Sequence, residues 1–337
     1  MTSNDPSNQP IKKLTVAVTT AIGHGGFDRF CPNRHTRWDN CEILLNPPPG
    51  TACDFWIVFA ASRNKDHLLV APENTLFITA EPPSKKIYPR AYYAQFHRVV
   101  SCHAEDPHPR VTTSAPGLPW HVGLNHQTNQ YDYGYDELSA MKENENKSQM
   151  ISVVCSNLTT TQGQRDRLAF LDILKREMPD RIIHFGRGFE PIDDKLDAIR
   201  THRFHLVLEN SYAPDYWTEK LADAYLGYAY PIYAGCPNLG DYFPEDGFTA
   251  IDISKIDEST HLIWNLLESE VDRSVINECR SRILDIYNPF ARFAYWANRF
   301  HVPGATKSSF NITSHRAFRP FPRGLIHRLK SRTPSTP

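Results

Sequence analysis

The chain has 337 residues, which is more than one hydrophobic core usually supports, so two α/β domains are the first expectation. Its 37 basic and 38 acidic side chains nearly balance, which excludes a protein whose whole surface binds nucleic acid. No run approaches the ~20 apolar residues that a membrane span needs, and residues 1–9 are polar, so we predict a cytoplasmic protein. Seven cysteines without Cys-x-x-Cys pairs are typical of free thiols in a reducing compartment.

The first half of the chain is predicted to be a domain built on strands. We assign residues 1–11 to a disordered N-terminus and residues 12–134 to this domain. Apolar runs predict strands at residues 14–20, 54–60, 76–80 and 98–102. The segments between them are long enough for crossover helices, so a parallel sheet is expected. Gly23-His24-Gly25-Gly26 lacks the G-x-G-x-x-G spacing, and a tight turn is the simpler interpretation.

The second half alternates strand and helix patterns after a charged, amide-rich segment at residues 135–150, which we predict to be a linker. Strands are predicted at 151–155, 182–185, 204–208 and 230–233, with helices at 165–178, 195–202 and 215–226. This order predicts a Rossmann-like second domain over residues 151–303. Helices at 261–267 and 271–286 close it, and residues 289–300 are predicted to lie back against the first domain.

A dense polar cluster follows the predicted strand at 204–208, and such a junction is where α/β proteins hold ligands. Asp215 is the predicted cap of the next helix, so Glu219 and Lys220 fall in its first turn. Free backbone N–H groups and the helix dipole favour an anion there, and a lysine fits a phosphate. On this motif alone, a dipole-complementing Glu219 and a solvated Lys220 explain the pattern equally well.

Several motifs in the second domain carry a family resemblance. Glu209-Asn210-Ser211, Tyr216-x-Thr218-Glu219-Lys220 and Tyr230-Pro-Ile-Tyr-Ala-Gly235 with Asn238 resemble the donor-binding signature of the glycosyltransferase family 10 α1,3/α1,4-fucosyltransferases. Cys155-Ser156 through Arg167-Leu-Ala-Phe170, and then Phe185-Gly186, extend the resemblance over roughly residues 151–253. It implies the soluble bacterial type of the family and a GT-B-like α/β fold, with two Rossmann-like domains facing a central cleft.

The resemblance also implies roles for the donor-site residues. Arg167 matches the phosphate-binding arginine, whose planar fork holds two phosphate oxygens, and Arg165 is the neighbouring alternative. Lys220 supplies the second cation, and Glu219 accepts hydrogen bonds from ribose hydroxyls. Tyr216 lies near the nucleotide base and Asn210 near the phosphates, and Ser211 completes the donor-binding set. Without the family resemblance, either arginine is explained as an ordinary charged residue on the surface of a helix.

The general base is predicted in the first domain. Glu81 stands in Ala-Glu-Pro-Pro-Ser at the carboxyl end of a predicted strand, where an open α/β sheet faces its cleft. The context partly resembles the Glu-Ser-Pro-Ser or Gly-Glu-Asn segment that holds the family's acceptor-deprotonating glutamate. Without the family, a loop glutamate before a rigid Pro-Pro turn is an equal alternative.

We predict no metal and no cofactor besides the GDP-sugar co-substrate. There is no Asp-x-Asp flanked by apolar residues and no His-Glu-x-x-His, and two cations already serve the diphosphate. Scattered histidines are usually surface or core fillers, although five of them offer possible metal ligands: His24, His35, His97, His103 and His108.

Residues 304–337 are predicted to be a basic C-terminal tail. The chain has no acidic residue after Asp285, and cations alternate with apolar side chains in this segment. Peripheral contact with anionic lipid at the inner membrane face is one interpretation, and a disordered soluble tail is the other.

The resulting functional hypothesis is an inverting glycosyltransferase that moves L-fucose from GDP-fucose to a hydroxyl of a glycan acceptor. The first domain binds the acceptor, a cell-surface polysaccharide or lipopolysaccharide, and the second binds the donor. Two alternatives stay open: the same fold with a different GDP-sugar or acceptor, and a catalytically silent nucleotide- or glycan-binding module.

Overall fold

The structure is a computed structural model, and it describes residues 13–22, 26–62, 65–82 and 84–320. The predictions for the N-terminal residues 1–11, for His24 and its neighbouring glycines, and for the tail beyond residue 320 lie outside these ranges. Among the described helices, none combines the length and apolar character needed to cross a membrane.

The strands and helices are labelled here in chain order. The strands are β1 (Leu14–Thr20), β2 (Arg37–Trp38), β3 (Cys41–Leu45), β4 (Phe55–Phe59), β5 (Lys65–Val70), β6 (Thr75–Ile78), β7 (Arg98–Ser101), β8 (Val111–Thr113), β9 (Leu124–Asn125), β10 (Gln130–Tyr131), β11 (Ser148–Val154), β12 (Ile182–Phe185), β13 (His202–Leu208), β14 (Tyr230–Ala234), β15 (Thr249–Ala250) and β16 (Ser308–Thr313). The α-helices are α1 (Arg90–Tyr93), α2 (Tyr135–Ala140), α3 (Gln162–Glu177), α4 (Lys195–Arg200), α5 (Glu219–Leu226), α6 (Ile256–Glu268), α7 (Arg273–Asp285) and α8 (Pro289–Phe300).

The described residues form two main sheets, each predominantly parallel. The first has the order β2-β3-β1-β4-β6-β7-β8, in which only the β2–β3 pair is antiparallel. The second has the order β12-β11-β13-β14-β15 and is parallel throughout. Every residue of β4 and β14 is buried, as expected for strands covered on both faces. The α/β class with two Rossmann-like units is confirmed.

The connections of the second sheet match the predicted alternation of strands and helices, whereas those of the first sheet do not. Helices α3, α4 and α5 join β11 to β12, β12 to β13 and β13 to β14 in turn. In the described part of the first domain, turns and 3-10 segments replace the predicted crossover helices, and α1 has four residues. Instead of helices, aromatic side chains packed around Phe77 of β6 cover one face of the first sheet. The ring centroids of Tyr88 and Tyr92 lie 4.9 Å and 5.1 Å from that of Phe77.

The chain returns to the first domain after leaving the second, so the predicted boundary at residue 303 is wrong. Helix α8 lies against β1, as predicted for residues 289–300, with Phe293 and Phe59 rings 5.4 Å apart. Strand β16 then pairs antiparallel with β5, and its Ile312 is fully buried. Residues up to 320 are therefore not a separate basic tail. An apolar helical face predicts that the helix packs against another element, but the sequence does not show which sheet that element belongs to.

The segment predicted to be a linker is partly structured. Helix α2 occupies its first residues with Leu138 fully buried, and β11 begins at Ser148, three residues before the predicted strand. The Tyr135 hydroxyl donates a hydrogen bond of 2.7 Å to Asp285 on α7. Although the segment is polar, its Leu138 is buried, and this hydrogen bond together with one from the Asn33 N–H to Asp136 joins it to both domains.

Candidate active site

A cavity of about 690 Å³ opens at the carboxyl ends of β11, β12 and β13, the edge at which parallel sheets bind ligands. Predicted donor-site residues from separate parts of the chain meet in its wall: Arg167, Asn210, Glu219 and Lys220. Arg187 and Lys195 join them. The described lining holds four cationic side chains and one carboxylate, Glu219, and Lys195 and Lys220 also pair with Asp223 and Glu209 behind it. Arg167 and Arg187 have no ion pair among the described residues, and their positive charge suits a polyanion such as a diphosphate.

Arg167 is the arginine that faces this cavity. Its residue is 5% exposed, and its Nε has no hydrogen-bond partner among the described residues. Arg165 is exposed and donates to the Thr159 carbonyl at 2.9 Å and to Gln162 Oε1 at 2.7 Å. A buried N–H without a partner costs free energy unless a ligand accepts its hydrogen bond, so the geometry favours Arg167 over Arg165 as the anion-binding residue.

Lys220 is held between two carboxylates at the start of α5. Its Nζ donates to Glu219 Oε1 at 3.0 Å and to Glu209 Oε2 at 3.3 Å. Burial by itself lowers the pKa of Lys220, but attraction to both carboxylates outweighs it and raises that pKa. Burial likewise acts to raise the pKa of Glu219, and its attraction to Lys220 and other cations outweighs it, so that pKa is lowered. Lys220 is therefore a cation and Glu219 an anion at neutral pH.

Thr218 rather than Asp215 caps α5, so the predicted cap is wrong. The Lys220 N–H donates to Thr218 Oγ at 3.3 Å, and Thr218 donates from its N–H to the fully buried Glu209 at 2.8 Å. Asp215 lies at a φ of 57° and accepts hydrogen bonds from Asn238 Nδ2 at 2.9 Å and Tyr242 Oη at 2.6 Å. These tertiary partners keep Asp215 in the preceding loop, and the helix begins four residues later than predicted.

A second cavity, of about 680 Å³, lies between the two domains and contains Glu81 in its wall. Asn210, Glu219 and Lys220 line both cavities, so the donor-side cavity and the interdomain cavity meet at these residues. Glu81 follows β6 as predicted and is partly exposed, with Oε1 2.7 Å from Lys85 Nζ. Glu81 therefore lies in the wall of the interdomain cavity and Arg167 in the wall of the donor-side cavity, with Lys220 in the wall of both.

The remaining predicted donor-site residues are divided between the two sides. Tyr216 is buried and lines the interdomain cavity rather than the donor-side cavity in which a nucleotide base was predicted beside it. Ser211 lines neither cavity, and its Oγ lies 2.9 Å from Ser84 Oγ across the cleft. Asn210 packs against Gly163 in the first turn of α3, where a Cβ would overlap the Asn210 carbonyl oxygen.

An acidic residue that the sequence reading missed joins the domains beside the site. Asp223 on α5 accepts hydrogen bonds from the His121 N–H at 2.8 Å, the Val122 N–H at 3.0 Å and Lys195 Nζ at 2.8 Å. His121 Nδ1 lies 4.0 Å from Glu219. The sequence feature that could have identified Lys195 as a site residue is its position at the start of α4, a helix that follows a strand, as α5 does for Lys220. Nothing in the sequence marks His121, because it comes from a loop of the other domain.

The histidines and cysteines show no metal-binding arrangement in the described ranges. No group of three His, Cys, Asp or Glu side chains is placed to hold a metal ion there. His97 interacts with Arg110 at 2.8 Å, and His108 with the Phe96 carbonyl at 3.0 Å. Metal independence stays a prediction. All seven cysteines are buried and unpaired, so the predicted free thiols are confirmed.

Comparison with known proteins identifies the second domain. Residues 144–275 match the family described as Glycosyltransferase family 10 (fucosyltransferase) C-term. A 105-residue segment is 30% identical to the human 4-galactosyl-N-acetylglucosaminide 3-alpha-L-fucosyltransferase 9, covering 30% of this chain and 29% of that protein. A 73-residue segment is 32% identical to the Helicobacter pylori alpha-(1,3)-fucosyltransferase FucT, covering 21% of this chain and 15% of that protein. The matches thus span less than a third of each relative.

A solved structure of an α1,3-fucosyltransferase with GDP-fucose is 16% identical and covers all of this chain and 95% of that one, with a TM-score of 0.45. By these sequence matches, residues 144–275 resemble a glycosyltransferase domain. The match is to glycosyltransferase family 10, the fucosyltransferase family, so the predicted resemblance is confirmed for residues 144–275, which extend beyond residues 151–253 on both sides.

Proposed function

We propose that the protein transfers L-fucose from GDP-fucose to a hydroxyl of a glycan acceptor. The observation that carries the proposal is the junction of the two cavities at Lys220, with Arg167 on one side and Glu81 on the other. The match of residues 144–275 to the fucosyltransferase family, and the fucosyltransferase names of the similar proteins, support fucose as the sugar.

In this proposal the donor-side cavity holds GDP. The Arg167 guanidinium and the Lys220 ammonium bind the diphosphate, and Lys195 adds positive charge from the neighbouring helix α4. Glu219, ionised and adjacent to Lys220, accepts hydrogen bonds from the ribose hydroxyls. Because Glu219 and Lys220 also line the interdomain cavity, the fucosyl end of the donor extends toward Glu81.

Transfer then proceeds by a single displacement. The Glu81 carboxylate takes the proton of the acceptor hydroxyl, and that oxygen attacks the anomeric carbon of fucose. The bond from this carbon to the β-phosphate oxygen breaks, and its electron pair leaves with GDP, whose growing negative charge is stabilised by Arg167 and Lys220. Since the nucleophile approaches opposite the leaving group, the anomeric configuration inverts.

A donor screen separates this proposal from the two alternatives. We expect GDP-fucose to bind more tightly than GDP-mannose, GDP-glucose or UDP-galactose in calorimetry, and to release GDP when a glycan acceptor is added. Tighter binding of another GDP-sugar would identify a different donor. Binding of GDP-fucose without turnover on any acceptor would identify a silent binding module.

The proposed chemistry requires no divalent metal, because fixed cations occupy the place that a metal would take beside the diphosphate. Exhaustive chelation is expected to leave the transfer rate within about twofold of the untreated enzyme, since the charge stabilisation comes from side chains. The measurement is GDP release after treatment with EDTA and gel filtration. Loss of activity that Mn²⁺ or Mg²⁺ restores would contradict this prediction.

A further inference from the structure

The first-domain side of the interdomain cavity carries a group of cations that the transfer chemistry does not use. Lys85 and Lys86 follow Glu81 in the chain, and Arg316 and Arg319 come from the segment after β16. All four side chains line the cavity. We call them the basic wall.

Negative charge on the protein does not balance the basic wall. Glu81 pairs with Lys85 at 2.7 Å, while Lys86, Arg316 and Arg319 have no carboxylate within ion-pair distance in the described ranges. The four cations of the basic wall and the one carboxylate of Glu81 together carry a net charge of +3, and Arg29 adds a further cation to the first-domain lining. Burial lowers the pKa of Lys86, Glu81 partly offsets this, and repulsion from Arg316, Arg319 and Lys85 adds to the lowering.

Like charges that outnumber their counter-ions repel one another. The free energy of this repulsion is recovered when an anion binds between them. The donor diphosphate already has Arg167, Lys195 and Lys220 in the other cavity. A second anion is therefore expected on the acceptor side, beside Glu81.

We propose that the acceptor is an acidic glycan, whose carboxylate or phosphate groups bind the basic wall while a neighbouring hydroxyl reaches Glu81. The inference rests on the proposed function for the role of acceptor, but the acidic-glycan site can be measured by binding alone. It also gives Arg316 and Arg319 a role in the cavity, although the sequence pattern assigned them to a basic C-terminal tail.

An acidic acceptor also competes for the ammonium group that holds Glu81. Lys85 Nζ lies 2.7 Å from Glu81 Oε1. An anionic group bound to Lys85 would draw this ammonium from the carboxylate and leave the Glu81 oxygen open to the acceptor hydroxyl. A neutral acceptor offers no such competitor.

Equilibrium binding without donor tests the inference directly. Two matched pairs are compared: a glucuronate-containing hexasaccharide against its carboxyl-reduced form, and a phosphorylated oligosaccharide against its dephosphorylated form. The acidic member of at least one pair is expected to bind at least ~10-fold more tightly at low salt, because charge-assisted hydrogen bonds are the strong ones. The preference should shrink as NaCl is raised, because salt screens the basic wall.

The variant R316A/R319A should reduce the acidic-to-neutral affinity ratio at least ~10-fold, since each lost guanidinium removes a charge-assisted partner. Arg90→Ala is the matched control, because Arg90 is exposed on α1 and lines neither cavity. Equal affinities within both pairs, or an unchanged ratio in the double variant, would overturn the inference.

Two further results have separate meanings. Binding to vesicles of phosphatidylglycerol and phosphatidylcholine without any preference for acidic oligosaccharides would show that the basic wall serves a lipid surface, and the inference would be wrong. An acidic preference in a protein that does not bind GDP-fucose would support the acidic-glycan site and contradict the proposed function instead.

Discussion

Replacing Arg167 by Ala is expected to lower kcat for fucosyl transfer at least ~10²-fold, which is the usual effect of losing one group that stabilises developing charge. The guanidinium is buried in the donor-side cavity and its Nε has no partner among the described residues, so its positive charge is available to the diphosphate. The measurement is steady-state GDP release with saturating GDP-fucose, beside calorimetric binding of GDP.

Arg165→Ala is the matched control for this prediction. It removes the same charge from the same helix, two residues away, at an exposed position whose side chain bonds to Thr159 and Gln162. Activity within about threefold of the wild type is expected, since surface charges contribute little. If the Arg165 variant lost activity and the Arg167 variant did not, the assignment of the phosphate-binding arginine would be reversed.

The structure makes Arg167 a sharper test of charge stabilisation than Lys220. Removing the Lys220 ammonium would leave Glu209 and Glu219 facing each other, with Glu209 fully buried, and an unpaired buried carboxylate destabilises the fold. A loss of activity in Lys220→Ala could therefore come either from lost charge stabilisation in the reaction or from a destabilised fold. Arg167 has no ion pair with an acidic residue in the described ranges, so its removal leaves no such charge behind.

Glu81→Gln is expected to bind GDP-fucose with near wild-type affinity while transferring fucose at least ~10²-fold more slowly, because a general base acts on the acceptor and not on the donor. Glutamine keeps the size of the side chain and its oxygen, but it cannot take the hydroxyl proton. Calorimetry with GDP-fucose beside a transfer assay measures both parts.

Glu73→Gln is the control at the opposite end of the same strand. Glu73 is exposed just before β6, whereas Glu81 follows the carboxyl end of β6 in the interdomain cavity. The Glu73 variant should keep wild-type transfer. Normal transfer by Glu81→Gln would place the base elsewhere in the cavity, and the partial family match at Ala80-Glu81-Pro82 would then be misleading.

The sequence by itself determined the elements whose signals are local. The buried runs that became β13 and β14, and the first turn of α5 with Glu219 and Lys220, were readable because strand burial and helix starts depend on nearby residues. The donor motif was found for the same reason, since its residues stand close together in the chain. The cap at Asp215 was misread because Asn238 and Tyr242, which hold that residue in the loop, come from farther along the chain.

Only the tertiary structure decided which side chains from distant segments share a cavity. His121 lies beside Glu219 because Asp223 binds the backbone of the first-domain loop, and this contact spans about a hundred residues. Arg316 and Arg319 line the interdomain cavity because β16 pairs with β5, a pairing that no local pattern specifies. Periodicity shows that a segment has a face to bury. What covers that face depends on the free energy of packing the whole chain.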